Sequence, residues 1–429
     1  LSINQSDAQS KKYTLSECID TALAYNKTLE INRNNVKISK ERIDESKNNL
    51  IPKVVLNSEY RYYNDLPYQL MPLSTFNAQA PEGQYKEAQF GVPHNINANI
   101  ALNMPLYNAQ INGQIQITKI ASEITELQHQ KNKEEIVYEV HNLYYNAQVI
   151  NQQIVFINQN IQNLEKLLRN IEILNTQLLA KKSDIDKTKL QLTQLKIQRE
   201  NTIAKKEQIY NRLKIVMGIS LNKDIEIDNK LNSSEIAFDT QKSSIDILIT
   251  NTHNKLLNEE IKTLRRARLL PSINLNGVYG RTGFGYDKQP NEFLKFYPIS
   301  YAGIQLSYPL FNANGLSKKI KQKQYEIDNN IIYSSLIKDQ QEMQIKNTKN
   351  QLEVARQSMV SSENQIKIAQ EIYEQTTLQH KEGVASLNDL LLADYALREA
   401  QNIYLNTSIE YLKATLELNK IYGIMVSNK

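Results

Sequence analysis

The side chains able to do chemistry are few in this 429-residue sequence, and they are scattered. Five histidines stand at His94, His129, His141, His253 and His380, with no two at a spacing that sets imidazoles on one helix face for a metal. The six methionines do not cluster, so neither a metal centre nor a metal-export specialisation has support. Cys18 is the single cysteine and cannot close an intrachain disulfide. It falls on the apolar side of "LSECIDTALAY", which predicts a packed core thiol. No glycine-rich phosphate loop occurs, nor a Ser/His/Asp signature in context. The chain reads as neither an enzyme nor a cofactor protein. Two acidic residues differ from the rest: Asp184 and Asp389 stand at matching points of a sequence that repeats itself.

The repeat is visible in the prolines. All ten lie in two windows, Pro52 to Pro105 and Pro271 to Pro309. "LIPKVVLNSEY" is answered by "LLPSINLNGVY", and "NIALNMPLYNA" by "GIQLSYPLFNA". Asp184 and Gly218 answer Asp389 and Gly423 at one offset. The organisation is therefore a tail over 1–13, a first repeat over 14–218, a second over 219–423, and a tail over 424–429. "LSINQSDAQS" reads either as the end of a secretory signal or as an extended mature terminus.

Each window holds two strands, about 52–62 and 95–105, then about 271–281 and 299–309. In "NINANIALNM" aliphatic and polar residues alternate at the period of a strand. Ile96, Ile100, Leu102, Ile304 and Leu306 fall on one apolar face. The other face is expected to be uncharged or polar, and Pro105 to end its strand. Residues 63–94 make a long first surface loop. Outside the windows no proline interrupts the chain, and hairpins of long helix follow at about 108–218 and 312–423. Ile150, Ile154, Ile157, Ile161, Leu164, Leu168, Ile171, Leu174 and Leu178 recur at threes and fours, a coiled-coil seam. On the return, Leu397, Ala400, Tyr404, Tyr411, Ala414, Leu418 and Ile421 follow the same heptad register. Ten residues tilted by about 45° span roughly 25 Å, the height of an outer-membrane apolar band. Four strands cannot close a barrel alone, so oligomerisation must cover their edges.

Charged residues make up 23% of the chain and the net charge is +5, spread rather than clustered with aromatics, so nucleic acid is not an expected partner. No run of eighteen apolar residues exists for a membrane helix, which says nothing about a barrel.

In "YTLSECIDTALAYNKTLEI", the paired entries at Pro52 and Pro271, the exits "MPLYNA" and "YPLFNA", and the stretch from "HKEGVASLNDLLLADYALREAQ" onward, the chain resembles the TolC-like outer membrane efflux family. The resemblance implies an α+β membrane protein. Long antiparallel coiled-coil helices form a periplasmic α-barrel, and four strands per chain join a trimeric twelve-stranded transmembrane β-barrel. It also implies a passive channel-tunnel of a tripartite efflux or type I secretion system, in the outer membrane of a Gram-negative bacterium and extending into the periplasm. Its partners would be two further copies, outer membrane lipid, a periplasmic adaptor (membrane fusion protein), and an inner-membrane pump of the RND or ABC class. No cofactor is implied. The aliphatic face of the strands would then meet lipid and the asparagines water.

By the same resemblance Asp184 and Asp389 are periplasmic gate positions, and Gly383, Val384, Ala385 and Ser386 an adaptor-contact turn. Each aspartate also reads as an ordinary helix-start residue. Lys181, Lys182 and Glu382 are candidate salt-bridge partners at the gate. Lys187, Lys189 and Asp394 add to the charges of the two tips, with Lys187 expected in the first turn of its helix. The first tip lacks a counterpart of Gly383, and Leu178 occupies its place. The rival function is a soluble periplasmic coiled-coil adaptor or scaffold.

Overall fold

The computed structural model describes residues 11–75, 77–89, 91–228, 244–285, 295–310 and 314–425. In chain order these form β1 (Lys11–Tyr13), α1 (Leu15–Tyr25), α2 (Lys27–Asn48), β2 (Lys53–Tyr62), β3 (Tyr68–Pro72), β4 (Tyr85–Gln89), β5 (His94–Tyr107), α3 (Ala109–Thr176) and α4 (Lys182–Met217). Then follow β6 (Ile225–Ile227), α5 (Ile245–Leu269), β7 (Ser272–Gly285), β8 (Lys295–Ser307), α6 (Gly315–Lys381) and α7 (Leu387–Ile421). The terminal tails lie largely outside the described residues, as do the last residues of "YPLFNA". Two compact units result, and each takes pieces from both repeats. A helical unit holds Leu1–Lys37, Glu123–Thr252 and Asn330–Lys429; a sheet unit holds Ile38–Ser122 and His253–Asn329.

With no proline to remove a donor, α3 and α6 run for 68 and 67 residues, about 100 Å each. In the helical unit Thr14 starts α1 with a capping box: its hydroxyl accepts from Glu17 N–H, and its own N–H donates to Glu17 Oε2 at 2.9 Å. Asn26 separates α1 from α2, donating to Val216 O at 2.7 Å and accepting from Leu29 N–H. Gly218, at φ 70°, closes α4 against this corner, and a Cβ there would lie 2.0 Å from Tyr25 O. Gly423, one offset later, has φ 68°. β1 pairs in parallel with β6 over a core of Cys18, Ala22, Val140, Leu213 and Met217. Cys18 is fully buried, and burial pushes its thiol up to about 12, so the packed-thiol expectation stands.

The seam of α3 is buried at Ile157, Ile161, Leu164 and Ile171. Leu178 is not part of it. α3 ends at Thr176, and Leu178 lies 93% exposed in the turn.

In the sheet unit four antiparallel strands follow the order β2-β5-β7-β8, and every helix joined to them leaves from the same end of the sheet. Pro105 does not end its strand. β5 runs on to Tyr107, Pro105 stands opposite Asn274, and the register slips between Pro105 and Tyr107. Proline lacks one ladder donor, and an irregularity at that point absorbs the loss. The first surface loop contains a hairpin of its own, β3 against β4. Beside the sheet a Cβ on Gly113 of α3 would meet Thr263 of α5 at 2.1 Å, so glycine sets their close approach. The hydroxyls of Ser39 and Ser122 meet at 2.8 Å.

Candidate functional site: two helical tips and a two-faced sheet

The tips close the two hairpins of the helical unit with the same backbone. At the first, Leu178 takes φ 61°, Leu179 N–H donates to Leu174 O at 2.9 Å, and Asn175 donates to Ala180 O at 2.7 Å. At the second, Gly383 takes φ 75° and Val384 N–H donates to Gln379 O at 2.8 Å. Leu178 thus does occupy the glycine's place, in a conformation that a Cβ disfavours. Leu179 and Val384 stand exposed beside them.

The helix starts that follow differ. Ser386 caps α7: its hydroxyl accepts from Asp389 N–H, and the Asp389 carboxylate accepts from the Ser386 hydroxyl at 2.6 Å and its N–H at 2.9 Å. The Ser386 hydroxyl first, and its N–H second, hold the Asp389 carboxyl below the usual aspartate value. Asp389 is therefore the third residue of α7 and closes a capping box with Ser386 as the cap. Lys181 precedes α4 with no side-chain cap, and half-buried Asp184 offers its N–H to Lys181 O at 3.0 Å.

The charges fall out unequally. Lys189 pairs with Glu172 at 3.0 Å, within its own hairpin. Among the described residues Lys181, Lys182, Lys187 and Glu382 are exposed, and no ion pair joins them within the protomer. Lys187 stands in the second turn of α4, since the helix begins at Lys182. Asp394 is not an exposed tip charge. It is 1% exposed, with Arg398 Nη2 at 2.8 Å in poor alignment for a hydrogen bond. Burial raises its carboxyl, and Arg398 opposes that. Its neighbours Leu390 and Leu391 pack with Ile171, Leu192 and Leu195, so both tips share one apolar cluster. Sequence alone could not show this, because Asp394 sits on a helix whose partners are distant in the chain.

In the sheet unit the register aligns the faces of all four strands. Val54, Leu102, Gly277 and Ala302 form one row, and Leu56, Ile100, Tyr279 and Ser300 the next. Ile96, Ile304 and Leu306 lie on this face too. Its apolar groups are open: Leu56 is 73% exposed, Ile304 70% and Leu306 64%. The opposite face carries a hydrogen-bonded polar ladder. Asn57 donates to Asn99 at 3.3 Å, Thr282 to Asn97 at 2.9 Å, and Asn276 to Gln305 at 3.0 Å. That face is less uniform than expected, since it also holds Lys53, Lys295 and the Glu59–Arg61 pair. The row Val55, Ala101, Val278 and Tyr301 crosses it as well.

The family model described as outer membrane efflux protein matches residues 257–424. The fold is similar to the CmeC outer membrane channel of Campylobacter jejuni, at 15% identity over 95% of this chain and 85% of that one, with a TM-score of 0.72. It is likewise similar to the open state of the MtrE outer membrane channel of Neisseria gonorrhoeae, at 15% identity, 95% and 88% coverage, and a TM-score of 0.73. For the outer membrane protein VceC of Vibrio cholerae the values are 13%, 95% and 96%, and 0.71. No curated protein matches the sequence. The resemblance seen in the sequence thus meets a family match over most of the second repeat and a likeness of fold over nearly the whole chain.

Proposed function

We propose that this chain is one protomer of a trimeric outer membrane efflux channel. Three copies each give four strands to a twelve-stranded barrel, and the long helices form a tunnel in the periplasm. An inner-membrane pump of the RND or ABC class delivers substrate through a periplasmic adaptor. One observation carries this reading: a four-stranded sheet with an exposed aliphatic face, a polar opposite face, and β2 and β8 at its edges. A solitary sheet of this kind leaves edge hydrogen bonds unmade and apolar groups in water, whereas joining edges in a ring within lipid removes both costs. The soluble adaptor or scaffold reading would leave those same side chains in water. Mass measurement in detergent is expected to give three protomers. A stable monomer with full β content sinks the proposal.

The tips complete it. Gly383 to Ser386 form the adaptor-contact turn. Asp184 and Asp389 line the periplasmic mouth, with Lys181, Lys182 and Glu382 free to pair between neighbouring copies. One exposed pair contributes about 0–1 kcal/mol, but symmetry repeats each contact three times. In Asp389→Asn an amide oxygen still accepts from Ser386 while the charge is gone. Single-channel conductance in a planar bilayer should rise, and high salt should do the same to the parent protein. Equal conductance at low salt would leave Asp389 as a helix-start residue alone.

A further inference from the structure

The aliphatic face of the sheet carries one permanent charge. Alternate positions from Val54 to Tyr62, His94 to Met104, Ile273 to Gly283 and Phe296 to Leu306 make up this face. Arg281 is among them, exposed, in a row with Ser58, Ala98 and Pro298. No aspartate or glutamate stands on the face in any of the four strands. The only acid in these strands is Glu59, which points to the opposite face and is held by Arg61 at 2.6 Å. The strands of a second copy joined edge to edge therefore bring no counter-ion either. Among the described residues no hydrogen bond or ion pair of the Arg281 guanidinium is found.

We infer that Arg281 binds the phosphate of a lipid headgroup in the outer leaflet. The inference rests on the proposal that the aliphatic face meets lipid. Arg281 lies toward the end of the sheet from which no helix leaves, the outer end in a membrane-spanning barrel. For strands tilted by about 45° it stands roughly 19 Å above the Ile273–Leu306 row and about 5 Å below the Gly283–Phe296 row. Tyr60 shares that upper row and bonds His94 at 2.7 Å, an aromatic band of the kind that marks the headgroup level. An arginine side chain spans the remaining distance while its stem stays in the apolar layer. Its row neighbours are small, so a bulky headgroup can approach. The planar guanidinium matches two phosphate oxygens at once, which lysine cannot do.

The test reconstitutes the full chain in phosphatidylcholine vesicles with and without added lipid A, and reads the melting temperature. Lipid A should raise that of the parent protein by about 2–4 °C. Arg281→Gln should lose more than half of the rise, and Arg281→Lys should keep only part of it. Arg61→Gln, on the opposite face, should keep it all. An undiminished rise in both Arg281 variants overturns the inference, as does an equal rise from inorganic phosphate alone. If Arg281→Gln does not insert, Arg281→Lys decides. Failure of the parent protein itself to insert would instead overturn the membrane-channel proposal.

Discussion

The two hairpin tips share a backbone and differ in every side chain that tunes it. One closes on Leu178 and starts its next helix without a cap; the other closes on Gly383 and starts with a full capping box. The long helices that meet at each tip, and the apolar cluster behind them, impose the left-handed closure whether or not the residue favours it. Local sequence then sets how stiff each tip is. The first is strained and its helix start is loose, while the second is relaxed and tied down.

Exchanging the closing residues should reverse this difference and produce the largest effect. Gly383→Leu meets no steric obstacle, because a Cβ there has nothing within 4 Å. Its cost is the backbone alone, about 1–2 kcal/mol. Leu178→Gly should stabilise the first tip by a smaller amount, about 0.5–1 kcal/mol, since glycine also loses more freedom on folding. Hydrogen exchange of the Leu179 and Val384 amides reads each tip locally, where global melting would be dominated by the long helices. Unchanged protection in both variants would mean that the tips are not strained differently.

Removing the cap comes next. Ser386→Ala should cost about 1 kcal/mol at the start of α7, and Lys181→Ala almost nothing, because the lysine makes no cap bond. Lys181→Ser should give the first tip part of what the second already has. Faster exchange in the first turn of α7, with no change in α4, is the expected pattern.

The smallest effect is that of pH on two aspartates of α7, and they have opposite signs. The Asp389 carboxyl is held below 3.8, so its contribution is fully present above that value and is lost as pH falls through the lower folded value. The Asp394 carboxyl is raised above 3.8 by burial. The folded chain therefore takes up that proton first, and stability rises as pH falls through the raised value. Melting curves of Asp389→Asn and Asp394→Asn between roughly pH 6 and pH 3 should diverge from the parent in opposite directions. Divergence in the same direction would mean that the attraction of Arg398 outweighs burial at Asp394.

Alternation in the sequence places β2 at 52–62, where Lys53–Tyr62 is found, whereas β7 runs on to Gly285 past the expected 281 and β8 spans Lys295–Ser307 against an expected 299–309. The constant offset carried Leu178 onto the position of Gly383, because a repeat preserves its turn even where the residue changes. Helix lengths followed from the missing prolines. Asp394 and Pro105 depart from expectation because the segments that cover the one helix and pair with the other strand are separated from them in the chain.

What the sequence alone determined was periodicity, which places each side chain on a face of its own helix or strand. That suffices for an amphipathic strand and a heptad seam. Tertiary structure decided which faces meet. Pairing in the order β2-β5-β7-β8 lined up four aliphatic faces and left Arg281 without an acid beside it. Packing of α7 against α6, and of its first turns against α3 and α4, put Asp394 in the interior. Hydrogen-bond register and helix contacts are relations between segments far apart in the chain, and no local period encodes them.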